Sequence, residues 1–118
     1  MKNLFTLFMC FSAFFSWAQN TITLPQTGSA TSNPAGNSVI IYDNGGRMGN
    51  YSDGVSGYVY LEPEAGKAIT ISGIIETESG WDYLKIFSGN TVVGTPLVNI
   101  SGRHYWYTYT GAVGQGLS

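Results

Sequence analysis

Lys67-Ala68-Ile69-Thr70-Ile71-Ser72-Gly73-Ile74-Ile75, then Glu76-Thr77-Glu78-Ser79-Gly80, then Trp81-Asp82-Tyr83-Leu84-Lys85-Ile86-Phe87 is the stretch that decides the fold class. The first run is rich in β-branched residues, which suit a pleated, half-buried surface. At a period of two, Ile69, Ile71 and Ile75 share one face. A short acidic turn with a glycine follows. The run from Trp81 to Phe87 then alternates again and is ended by Ser88-Gly89-Asn90. This is strand, turn, strand. A helix would need apolar residues at 3.6-residue spacing, and the chain has no stretch rich in Ala, Leu, Glu and Lys.

The same pattern extends outward. Val39 to Tyr42 and Tyr58 to Leu61 read as strands upstream, and Thr95 to Ile100 and His104 to Thr110 downstream. Leu117-Ser118 begin a further strand after the turn Gly111 to Gly116. Strands recurring every roughly 8 to 12 residues predict an all-β, antiparallel sandwich. Asp43 to Gly54 is a loop with four glycines, predicted to be compact and folded because glycine permits positive φ and close backbone approach. It lacks the Gly-Lys-Ser/Thr ending of a phosphate loop. The length of 118 residues allows one domain. The 16 glycines and 8 tyrosines agree with short strands and tight turns.

Residues 1–18 carry Lys2, an apolar run from Leu4, and small residues at Ser16 and Ala18. They describe a secretory signal peptide cleaved after Ala18, too short for a comfortable membrane span. Acylation at Cys10 is disfavoured because bulky Met9 precedes it and the apolar run continues beyond it. The mature chain is therefore expected to be secreted, with no membrane span. It keeps four cations, Arg47, Lys67, Lys85 and Arg103, against seven acids, a net charge of −3. No basic cluster exists, which disfavours nucleic acid as a partner. The only cysteine goes with the leader, so no internal disulfide can form. Residues 19–38 are polar and read as a lead-in with one short strand at Ile22-Thr23-Leu24. Residues 39–118 form the domain.

Two segments resemble a known family. Tyr42-Asp43-Asn44-Gly45-Gly46-Arg47-Met48-Gly49-Asn50-Tyr51-Ser52 looks like the Asp-Ser-Gly-Gly, Gly-Asn-Tyr-Ser opening of a CUB domain. Glu76 to Gly89 looks like that family's Phe-Asp-x-Glu turn, Tyr-Asp-Tyr strand and Asp-Gly turn. The apolar strand between them falls where the family has one. The resemblance covers residues 39 to 118. It implies a jelly-roll β-sandwich that binds extracellular protein or glycan. It also implies a calcium ion (Ca2+) near one end, with Glu78 and Asp82 matching two acidic ligands. The family's third acidic ligand would follow Ser118, as would the last strand or strands of the sandwich and any further domains. The shorter acidic turn and the missing family cysteines imply a bacterial-type, cysteine-free version.

The residues carry information without the family. Alternation places Asp82 on the face of Leu84 and Ile86, where a carboxylate must be paired, hydrogen-bonded or metal-bound. Glu76 and Glu78 share a parity about 7 Å apart. Glu76 is thus a further candidate ligand, and three acids in seven residues supply the hard oxygens calcium prefers. The competing account is a solvated acidic turn in which Asp82 caps backbone amides. The crowding of acids on one turn disfavours glycoside hydrolysis, which needs carboxylates flanking a cleft. His104 is the only histidine, too few for a transition-metal site, and is expected on a strand surface. Strict alternation puts Tyr105, Tyr107 and Tyr109 on one face and Trp106 on the other. Those rings are either a surface for sugars or protein, or cross-strand packing. Asn50-Tyr51-Ser52 and Asn99-Ile100-Ser101 match the glycosylation pattern.

Together these features predict a secreted, non-catalytic recognition module. The rival expectations are an accessory domain of a larger secreted enzyme, such as a peptidase, and a structural or adhesion surface protein.

Overall fold

The computed structural model describes residues 20–32 and 38–118. The signal peptide assigned to residues 1–18 and its Cys10 lie outside the described residues, as do residues 33–37 of the lead-in. Eight strands form: β1 (Asn20–Thr23), β2 (Ser29–Ser32), β3 (Val39–Tyr42), β4 (Tyr58–Leu61), β5 (Thr70–Glu76), β6 (Leu84–Ile86), β7 (Val98–Ile100) and β8 (Arg103–Thr110). Among the described residues there is no helix, and hence none long and apolar enough to cross a membrane. The fold is all-β and consistent with a β-sandwich.

The pairing departs from an all-antiparallel arrangement. β5 pairs with β8, and β6 with β7, antiparallel. β1 pairs with β3, and β2 with β4, in parallel. One strand of each parallel pair comes from the segment assigned by sequence to a lead-in with one short strand at Ile22-Thr23-Leu24; that segment builds two strands, the first overlapping the expected one. Its backbone follows β3 as far as the Leu24 amide, which donates to the Tyr42 carbonyl at 2.8 Å. Pro25 cannot donate, and there the chain changes partner. The Ser56 amide then donates to the Gln26 carbonyl, and the Tyr58 amide to Gly28, each at 3.0 Å. β1 overlaps the strand expected at Ile22-Thr23-Leu24, whereas β2, built of Ser, Ala and Thr, escapes a hydrophobicity-based reading. Backbone ladders, more than buried side chains, hold them.

Residues 116–118 join the β4 and β6 ladders. Leu117 bridges both Leu61 and Ser88 in antiparallel fashion. The Leu61 amide donates to the Leu117 carbonyl at 2.7 Å, and the Phe87 amide to Ser118 at 2.8 Å. The hydrogen-bonded order is therefore β2, β4, residues 116–118, the β6 strand with its continuation to Gly89, and β7. The apolar core sits on this ribbon: Val59, Leu61, Ile86, Phe87 and Leu117 are buried. Gly116 lies beneath Tyr60, whose hydroxyl would be 2.6 Å from any Cβ there. In β5, Ile71 and Ile75 are half-buried while Ser72 and Ile74 face outward, as period two predicts.

Candidate functional site

The loop from residue 43 to 54 folds onto itself. The Asp43 carboxylate accepts from the Gly45 amide at 2.9 Å, and its carbonyl accepts from Gly46 at 3.0 Å. Asn44 Oδ1 accepts from the Ser52 amide at 3.0 Å and closes the loop. Gly45 lies against the Asn50 carbonyl, where no side chain fits. This packing aims Tyr51 at the acidic turn.

That turn is organised by its own backbone. The Trp81 and Asp82 amides donate to the Glu78 carbonyl at 3.1 and 3.0 Å. Gly80 takes φ +81°, a conformation that L side chains rarely adopt. Thr77 Oγ1 donates to the Asp82 carbonyl at 3.0 Å and accepts from the Gly102 amide at 2.8 Å. The turn is thereby tied to the start of β8.

The two segments meet at Tyr51. Its hydroxyl donates to Asp82 Oδ2 at 2.7 Å and accepts from the Glu78 amide at 3.3 Å. Tyr51, Asp53, Glu76, Thr77, Glu78 and Asp82 line one open cleft of about 400 Å³. The Asp82 side chain is half-buried, as alternation predicted, and its carboxylate has a phenol partner. Glu76 opens on the same cleft, but its carboxylate is bound by the guanidinium of Arg103, with Nε at 3.1 Å. Glu78 and Asp82 are thus brought together, while Glu76 is committed elsewhere. Tyr51 and Asp53 join the site without any local signal, since Tyr51 lies 31 residues from its acceptor.

The donor set suits a hard, oxygen-preferring cation in kind. It is sparse in number: among the described residues no three His, Cys, Asp or Glu side chains form a metal-binding group. Glu78 and Asp82, with water and backbone carbonyls completing the shell, would make a weak site.

The hydrogen bond to Asp82 raises the Tyr51 pKa above the ordinary phenol value, since ionising the phenol would lose the donor and set two anions together. Burial raises Tyr107, with the neighbouring Tyr109 adding to it. A pKa raised on folding stabilises the fold fully below the unfolded value near 10.0. That contribution fades as pH climbs through the raised folded value. Tyr51→Phe should therefore lose one late-ionising phenol in an alkaline ultraviolet titration. Its stability deficit should be constant up to about pH 10 and shrink as pH climbs through the raised folded value. A deficit that persists unchanged at higher pH would contradict the Tyr51–Asp82 bond.

The aromatic strand corrects a second expectation. Tyr105, Tyr107 and Tyr109 do not share a face. Gly73 faces Tyr107, but Ile75 faces His104, so β8 carries one extra residue between them. Trp106 absorbs it at φ +63°, the one positive-φ position outside glycine among the described residues. A bulge of this kind flips every residue beyond it. His104, Tyr107 and Tyr109 turn inward and are half-buried, whereas Tyr105 and Trp106 point outward. His104 is held through Nε2 at 2.9 Å from the Ser101 carbonyl. The guanidinium of Arg103 lies 5.9 Å from the centre of the Tyr105 ring. For a bulky residue, the left-handed conformation costs on the order of 1–3 kcal/mol.

Of the glycosylation-pattern residues, Asn50 is exposed in the loop and Asn99 is exposed within β7. Comparison of the chain with protein-family profiles, with curated proteins and with solved structures finds no match in any of the three.

Proposed function

We propose that this is a secreted, non-catalytic recognition module of CUB-like jelly-roll type, whose acidic cleft binds calcium weakly and whose exposed surfaces bind extracellular protein or glycan. The observation that carries it is the Tyr51 phenol holding the Asp82 carboxylate beside Glu78 in one cleft, also lined by Asp53. An aspartate fixed in this way keeps its other carboxylate oxygen available to donate a lone pair to a cation. Two further facts support the reading. The cleft joins the two segments that carry the sequence resemblance, and the loops around it are fixed by their own hydrogen bonds. Glu78 and Asp82 would hold the ion. A cation there would cancel repulsion among the cleft carboxylates and stiffen this end of the domain.

Two carboxylates lining one open cleft place the affinity in the range of extracellular calcium modules, around 10⁻³ M. At tenfold excess over that Kd, calcium should stabilise the fold by about 1.4 kcal/mol. For a domain this size the melting temperature should rise by roughly 5–10 °C relative to chelator. Asp82→Asn should abolish the rise, and magnesium at the same concentration should give less of it. Identical melts in calcium and in chelator would sink the calcium assignment.

A further inference from the structure

The outward face of the β5–β8 pair carries an apolar strip in a polar frame. At the bulge, Ile74 is 69%, Tyr105 58% and Trp106 90% exposed. On one side run facing hydroxyls: Thr70 and Thr110 lie 3.0 Å apart, and Ser72 stands opposite Thr108. On the other side Arg103 is paired with Glu76 and steadies the Tyr105 ring. Trp106 is held in a left-handed conformation, yet its ring buries almost nothing that would offset the strain. Backbone strain retained to present an unburied ring points to a task for that ring.

We propose that Ile74, Tyr105 and Trp106 form a stacking platform for a neutral glycan chain. The proposal rests on the recognition role argued above and names the surface and ligand class. Three features select a sugar. A pyranose has an apolar C–H face and a rim of hydroxyls, matching aromatic rings beside Thr and Ser hydroxyls. Charge is balanced on the patch, because Glu76 neutralises Arg103, and the mature chain is net negative. An anionic glycan would find no free cation on this patch. Area argues against a second copy of the chain. The three exposed side chains offer roughly 450 Å², against about 800 Å² per partner in a stable interface. That area suits a few sugar rings.

The test is affinity electrophoresis of the mature chain in gels containing starch, mannan, xyloglucan or laminarin, with heparin and alginate as charged controls. At least one neutral polysaccharide should retard the protein, and the charged ones should not. Trp106→Gly should weaken the retarding interaction by about tenfold or more, the scale of one lost stacked ring. Its melting temperature should hold or rise, since glycine accepts this φ freely. Tyr105→Ser should weaken retardation too. Asp82→Asn should leave it intact, which separates this platform from the acidic cleft and its calcium response. The proposal is overturned if no neutral polysaccharide retards the chain, or if Trp106→Gly is retarded like the parent. A steep fall in its melting temperature, marking the ring as a packing residue, would overturn it equally. So would dimers in sedimentation that Trp106→Gly dissolves, which would assign the patch to self-association.

Discussion

Leu117→Ala should melt roughly 15–30 °C below the parent chain, the largest loss expected from any single side-chain truncation in this fold. Among the described residues Leu117 is the one large side chain that is fully buried, at 0% exposure. It sits where two ladders meet, bonded to Leu61 on one side and bridging Ser88 on the other. Removing a buried leucine forfeits its transfer free energy and leaves a cavity, about 2.7–5.0 kcal/mol in all. The upper part of that range applies, because the neighbouring ribbon is too constrained to collapse. Gly111 already lies against both Leu117 methyl groups, and Gly116 lies against Tyr60. A value near 4 kcal/mol is a large share of the 5–15 kcal/mol available to an ordinary domain. Val113→Ala is the matched control, since Val113 is 69% exposed and should shift the melt by little. Equal effects from the two substitutions would mean that residues 116–118 do not occupy the centre of this sheet.

What was legible in the sequence followed apolar periodicity. Val39–Tyr42 and Tyr58–Leu61 form strands as expected, because each is a short apolar run between turn residues. The inward set of β5 was readable for the same reason. β1 was legible only through Ile22, and β2 not at all, because a strand of Ser, Ala and Thr has little apolar face to betray it. Their partners are chosen by backbone geometry at Pro25, which only the assembled sheets provide. The bulge at Trp106 was also hidden. Glycine or asparagine there would have announced a left-handed residue, whereas tryptophan argues for extended backbone. One unannounced residue was enough to separate the three rings, turning Tyr107 and Tyr109 inward and half-buried and leaving Tyr105 outside. In the acidic cleft, Glu78 and Asp82 were legible as a local cluster. The Arg103 that occupies Glu76 and the Tyr51 that holds Asp82 arrive through long-range contacts with no sequence spacing to signal them.

Gly57→Ala probes the part of the fold that the sequence concealed. Gly57 immediately precedes β4, and its Cα passes directly beneath the Pro25 carbonyl. A Cβ at this position would overlap the carbonyl oxygen, and would lie 2.7 Å from its carbon and 3.0 Å from the proline Cγ. Backbone cannot rotate aside as a flexible side chain can, so residues 25–28 must move off β4. That movement breaks the flanking bonds from Ser56 to Gln26 and from Tyr58 to Gly28. Overpacking of this kind costs about 1–3 kcal/mol, and each lost hydrogen bond adds about 1 kcal/mol. A destabilisation near 3 kcal/mol, or roughly 15 °C in the melt, is expected. The damage should be local. Amide exchange should quicken along β2 and its edge of β4 while the β5–β8 pair keeps its protection. Gly28→Ala separates sterics from backbone freedom, because Gly28 has φ +78° but open space around it. It should cost only about 1 kcal/mol. Gly57 has no positive φ for alanine to strain, so if the two alanine variants melt together, the close crossing of Pro25 over Gly57 is not what pins the first strands to the fold. If Gly57→Ala falls well below Gly28→Ala, residues 20–32 are an integral part of the fold, anchored at one crossing where only glycine fits.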